Sequence, residues 1–91
     1  MNLEEYKNKI VTNVYHITSE SNVALHKHPK HDEIFYCVRG SGFGVLDTGE
    51  FELYVGKEFI VPAGSLHSLR TDSDLYVVSF LIPRFEINIV Q

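Results

Sequence analysis

From Ile10 onward the chain is a series of short apolar-rich runs, each closed by a turn-forming cluster, and this punctuation limits the fold more than any other feature. The interruptions fall at residues 18–22, 29–32, 39–44, 48–49, 56–57, 62–64 and 72–74, and Pro83 closes the last long run. The runs between them are rich in Val, Ile, Thr, Phe and Tyr, residues that fit a pleated surface. Residues 50–55 (EFELYV) set Phe51, Leu53 and Val55 against Glu50, Glu52 and Tyr54, the alternation of a strand with one buried face. Residues 75–82 (LYVVSFLI) are almost continuously apolar, as in a strand covered on both faces. No helical period emerges except over the first nine residues, which fit a short helical turn or an arm. The pattern predicts an all-β sandwich or barrel with little or no helix, and one domain over residues 1–91. The glycines of residues 39–44 (RGSGFG) read as a tight hairpin turn. They do not read as a phosphate loop, since neither a helix pattern nor a Lys-Ser/Thr pair follows. Residues 84–90 (RFEINIV) alternate again and read as an edge strand, or as one that pairs with a second copy.

A chain of 91 residues is one small domain, and association with a second copy would help it cover its apolar surface. The formal net charge is -4, from 12 acidic and 8 basic residues, and no basic run is present. Nucleic acid is therefore not an expected partner. Cys37 is the only cysteine, so no disulfide forms within the chain. The N-terminal MNLEEYKNK lacks the apolar core of a signal peptide, and residues 75–82 are too few to span a bilayer as a helix. The expectation is a cytoplasmic protein without membrane association.

The chemistry concentrates in residues 25–40, LHKHPKHDEIFYCVRG. His26 and His28 are two apart, so an extended chain points both imidazoles to one face. Pro29 starts a turn, and Glu33 opens the next strand on the parity of Phe35 and Cys37. If the two strands are neighbours, two imidazoles and a carboxylate meet on an interior face. That donor set suits zinc, nickel, manganese, iron or copper. His67, in VPAGSLHSL, offers a further ligand. His31 fits either a ligand or an exposed residue at the turn near the mouth of the site, and the second is favoured because His26 and His28 already supply the pair. Cys37 reads as a small buried hydrophobe rather than a catalytic thiol. His16 reads as an ordinary strand residue.

These stretches resemble the cupin family. Its first motif, G-x5-H-x-H-x3,4-E-x6-G, is matched by His26, His28, Glu33 and Gly40, with Glu20 in place of the leading Gly. Its second, G-x5-P-x-G-x2-H-x3-N, is matched by Gly56, Pro62, Gly64 and His67, with Thr71 at the final Asn. Lys57 stands where an acidic residue commonly follows the Gly. The resemblance implies a small double-sheet jelly-roll β-barrel with a divalent transition metal on His26, His28, Glu33 and His67. Phe35, Cys37, Leu69 and Phe80 would then wall an apolar pocket. It also implies a metal-dependent enzyme of the oxygenase or isomerase type acting on a small, largely neutral molecule, because no Lys or Arg falls on the expected inner face. The alternative is a non-catalytic module that binds or senses a small molecule in the same pocket. A homodimer is expected in either case.

Overall fold

The computed structural model describes residues 2–21 and 23–84, and for residues 23–26 the backbone alone. One short helix, α1 (Leu3–Asn8), opens the chain. The Asn2 side chain accepts the Glu5 N–H at 2.9 Å, and Glu4 and Glu5 in the first turn and Lys7 in the last suit the helix dipole. The helix buries no residue and is tied down by Tyr6, whose hydroxyl donates to the Pro83 carbonyl at 2.8 Å.

Seven strands follow: β1 (Val11–Thr18), β2 (Val23–His26), β3 (His31–Leu46), β4 (Gly49–Tyr54), β5 (Glu58–Val61), β6 (His67–Arg70) and β7 (Asp74–Pro83). Strand β3 belongs to two layers. Its first half pairs with β7 on one side and β5 on the other; its second half pairs with β6 and β4. Strand β1 extends the first layer by pairing with β7, and β2 extends the second by pairing with β6. All these pairings are antiparallel. The result is the jelly-roll arrangement of β1-β7-β3-β5 facing β2-β6-β3-β4.

Residues 39–44 correct the sequence reading, because they lie inside β3 and form no hairpin. The register shifts between Cys37 and Arg39, and Gly40 adopts φ +79°, so the chain bends there and crosses from one layer to the other. A Cβ at Gly40 would stand 2.1 Å from the Asp74 carbonyl oxygen. Farther along, a Cβ at Gly44 would meet the Phe59 ring at 2.4 Å. Glycine at 44 lets an aromatic ring of the facing layer lie directly on the backbone.

The core between the layers consists of Ile17, Phe35, Cys37, Leu53, Phe59, Val61, Leu69, Leu75 and Val77. Phe59 stacks between Phe35 and Phe51, with centroids 6.0 Å from each. Of the expected stripe only Leu53 is buried, since Phe51 in β4 and Val55 just past its end are exposed. In β7 the inner face, Leu75, Val77 and Ser79, is fully buried, whereas Tyr76, Val78 and Phe80 on the outer face are half-buried. The strand is thus covered completely on one face only. Phe85, Ile87 and Ile89 lie outside the described residues. Among the described residues no helix is long and apolar enough to cross a membrane.

Candidate metal centre

Glu33, the third residue of β3, faces the inter-layer space on the parity of Phe35 and Cys37. It is 2 % exposed. An ionised carboxylate at such depth needs partners. His67 Nε2 lies 3.0 Å from its Oε1, His28 Nε2 lies 3.3 Å from the same oxygen, and the Ser79 hydroxyl donates to Oε2. One donor atom each from His28, Glu33 and His67 lies within 4.8 Å of the others.

Each residue arrives by a different route. His67 is the first residue of β6 and is fully buried beside Phe35, with ring centroids 5.8 Å apart. His28 lies past the end of β2, in the connection to β3, so it reaches Glu33 from a loop and not from the strand expected of it. Two hydrogen bonds hold this loop and the start of β3 to the loop preceding His67: the Gly64 N–H donates to the His28 carbonyl at 2.9 Å, and the Ala63 N–H to Asp32 Oδ1 at 2.7 Å. Gly64 makes the turn with φ +84°. The Pro-Ala-Gly segment thereby fixes the distance between the two histidines.

The proton inventory of His67 is informative. Its Nδ1 lies 3.1 Å from the Ser65 carbonyl oxygen. A carbonyl can only accept, so Nδ1 carries a hydrogen. In the neutral ring Nε2 would then be a bare lone pair facing a carboxylate oxygen at 3.0 Å. Two acceptors at that separation need a positive centre between them, either a proton or a metal cation. Burial disfavours the imidazolium, but the hydrogen bond to Glu33, the Ser65 carbonyl and the Glu33 charge outweigh it and hold the His67 pKa above the ordinary imidazole range. Burial likewise raises the Glu33 pKa, but hydrogen bonds from His67 and Ser79 and the charges of His28 and His67 bring it below the usual carboxylate range. Without metal, each partner of the pair favours the charged form of the other. Two imidazole nitrogens and a carboxylate oxygen converging in this way fit a borderline transition-metal ion.

His26 belongs to β2 by its backbone, where it pairs with His67; its side chain lies outside the described residues. His31 heads β3, is half-buried rather than exposed, and stands outside the group of three. Phe35, Cys37 and Leu69 are buried in the core. Burial pushes the Cys37 thiol up, which keeps it protonated and unreactive. Phe80 does not wall the interior: it pairs with Ile34 on the outer face, and the inward position is taken by Ser79. Two inner-face residues went unread in the sequence. Ser79 is the one small polar residue inside an apolar run, a signal that was present. Tyr15 shares the inner parity of Ile17, and its phenol is pushed up by burial with the Glu33 charge adding. Thr71, at the last motif position, is buried away from this group and donates to the Ser41 carbonyl at 2.6 Å.

Comparison with known proteins agrees with this architecture. The family described as Cupin domain matches residues 14–83. Quercetin 2,3-dioxygenase of Bacillus subtilis is 39% identical over 59 residues, which is 64% of this chain and 18% of that protein. An uncharacterized protein of Methanocaldococcus jannaschii is 34% identical over 50 residues, 55% of this chain and 40% of its own length. The chain thus spans less than half of either relative. Among solved structures, a predicted oxalate decarboxylase from Thermotoga maritima superposes with a TM-score of 0.77 at 24% identity, covering 92% of this chain and 76% of that one. A cupin protein from Bacteroides fragilis gives 0.75 at 18% identity, covering 90% and 72%. The motif residues, the two-layer fold and the family match agree: the chain belongs to the cupin family.

Proposed function

We propose that this cupin is a metal-dependent enzyme of the oxygenase or isomerase type, acting on a small, largely neutral molecule. The observation that carries the reading is the pair of acceptors, His67 Nε2 and Glu33 Oε1, held 3.0 Å apart where a cation satisfies both. His28 adds a third donor, and His26, whose backbone pairs with that of His67, is the fourth ligand. A divalent zinc, nickel, manganese, iron or copper ion bound there supplies Lewis acidity and a template for the reactants. The protein's own part is to fix the donors, keep the inner end dry with Phe35 and Val77, and offer the Tyr15 phenol at the more open side. The Lys side chains among the described residues are exposed. Arg70 pairs with Glu50 through Nε at 2.5 Å, and Arg39 lies over Tyr76 on the outer face. Among the described residues no Lys or Arg lines the interior, which supports a neutral rather than a strongly anionic substrate. The similarity to a dioxygenase, although it covers a small part of that enzyme, favours the oxygenase type.

The protein acts as a homodimer in this reading. The outer face of the β1-β7-β3-β5 layer places Val14, Val78 and Tyr36 in one row, and Phe80, Ile34 and Ile60 in the next. Val14 is 72% and Ile60 56% exposed. A second copy related by a two-fold axis covers such a face with its own.

Metal analysis of freshly purified protein, followed by oxygen uptake on a substrate panel, tests the proposal. Stoichiometric iron, copper, nickel or manganese with turnover supports it. Bound metal without oxygen uptake counts against the oxygenase type, and product analysis of the same mixtures then separates an isomerase from the non-catalytic binding module. Purified protein that neither carries nor takes up a transition metal refutes both.

A further inference from the structure

We infer that Ser79 is a positioning residue that makes Glu33 a single-oxygen metal donor. The inference rests on the metal reading above and extends it to how many positions the protein leaves for an external molecule. Ser79 is fully buried on the inner face of β7, where it pairs with Phe35 of β3 and Asn13 of β1. Its hydroxyl donates to Glu33 Oε2. A hydrogen bond from a hydroxyl to a buried carboxylate is charge-assisted and stronger than a neutral one. Both imidazoles approach the other oxygen: His67 Nε2 at 3.0 Å and His28 Nε2 at 3.3 Å from Oε1. The carboxylate is therefore divided, with Oε1 turned to the histidines and Oε2 committed to the wall. A carboxylate free to rotate can place both oxygens on a cation. Held by Ser79, Glu33 presents one.

The position of Ser79 has no other evident use. Its neighbours on the inner face of β7 are Leu75 and Val77, and a hydroxyl among them would be costly without the carboxylate it serves. Alanine would fill that place as well if packing alone were required.

Cobalt(II) titration of the full chain separates the possibilities. Wild type and Ser79→Ala are followed by the visible d–d bands and by competition with a chelator. In Ser79→Ala the freed Oε2 enters the coordination sphere, so the bands change in position and intensity. The affinity changes by about 10–100-fold, the usual effect of losing a hydrogen-bond partner of a ligand. Ser79→Ala with the bands and affinity of wild type overturns the inference while leaving the metal reading intact. Wild type that takes up no cobalt overturns both. If Ser79→Ala does not fold, the infrared difference spectrum of wild type on zinc loading decides instead. A carboxylate splitting typical of one-oxygen coordination supports the assignment, and one typical of two-oxygen coordination overturns it.

Discussion

Replacing Glu33 by Gln should reverse the sign of the pH dependence of stability in the metal-free protein. In wild type the folded His67 pKa lies above its unfolded value, about 6.5. Its stabilising contribution is complete below that value and is lost as pH rises through the folded pKa. Glu33, with its folded pKa depressed, contributes above its unfolded value of about 4.3 and is lost as pH falls through the folded one. The pair thus contributes most between about pH 4.3 and 6.5, and wild type loses stability as pH rises from there. In Glu33→Gln the anion is gone. Burial, the largest influence on His67, then dominates over the single Ser65 carbonyl, and the folded pKa falls below the unfolded one. The unfolded chain now binds the extra proton, so the variant gains stability as pH rises. One proton sets a limiting slope of about 1.4 kcal/mol per pH unit in each direction. For a domain of this size that is about 6–11 °C in Tm per pH unit. Thermal unfolding in chelator, stepped from about pH 5.5 to 8, measures it, and the difference between the two proteins cancels groups remote from Glu33. Parallel Tm profiles would refute the charged-pair reasoning. The amide of Gln can donate to the bare Nε2, so at the alkaline end the two proteins should be of similar stability.

His28→Ala and His67→Ala should each lower metal affinity by more than the roughly 10–100-fold typical of outer partners, whereas His31→Ala should leave it nearly unchanged; competition with a chelator reads both. Metal occupancy should fall below about pH 6, because coordination requires neutral imidazoles, and full occupancy in dilute chelator at strongly acidic pH would contradict the site. Gly44→Ala should cost about 1–3 kcal/mol in chemical denaturation, since its Cβ would stand 2.4 Å from a Phe59 ring held by its neighbours. Sedimentation at micromolar concentration should give a dimer of the 10.4 kDa chain, and Val14→Asp, on the exposed outer row, should give a monomer with an unchanged fold.

His28 and Glu33 were legible together because they flank one turn, whereas His67, 34 residues beyond Glu33, was legible only through the second motif, in which Pro62 and Gly64 precede it. The strands were legible from their β-branched content and their polar interruptions. The phase of β7 was not. LYVVSFLI is apolar at both parities, so sliding it by one residue leaves the pattern almost unchanged, and Phe80 rather than Ser79 was read as inward. What sets the phase is the register with β3, in which Ser79 lies opposite Phe35, and that partner is remote in sequence. The same holds for β1, where alternation alone does not say that Tyr15 turns inward and Val14 outward. Residues 39–44 were misread because a glycine that bends a strand and one that closes a hairpin carry the same local signal. Phe59 and the Asp74 carbonyl, which demand glycines at 44 and 40, approach only in the folded chain.

The sharing of β3 between both layers also constrains the order in which this protein can assemble. Neither layer is complete until strands from distant parts of the chain have arrived: β1 waits for β7, where Val11 meets Leu81, and β2 waits for β6. Such pairings close large loops before any contact rewards them, which puts folding in the millisecond-to-second range typical of non-local β topologies. While the chain emerges during synthesis, β1 carries an unpaired edge and an exposed Val14, a template for wrong partners until the final strand is made. His28 and Glu33 are available early, but His67 and Ser79 arrive with β6 and β7. The ligand set is therefore complete once β6 has joined β2 and β3: an ion can settle there before β1 meets β7, and Ser79 fixes its carboxylate only when that last strand arrives.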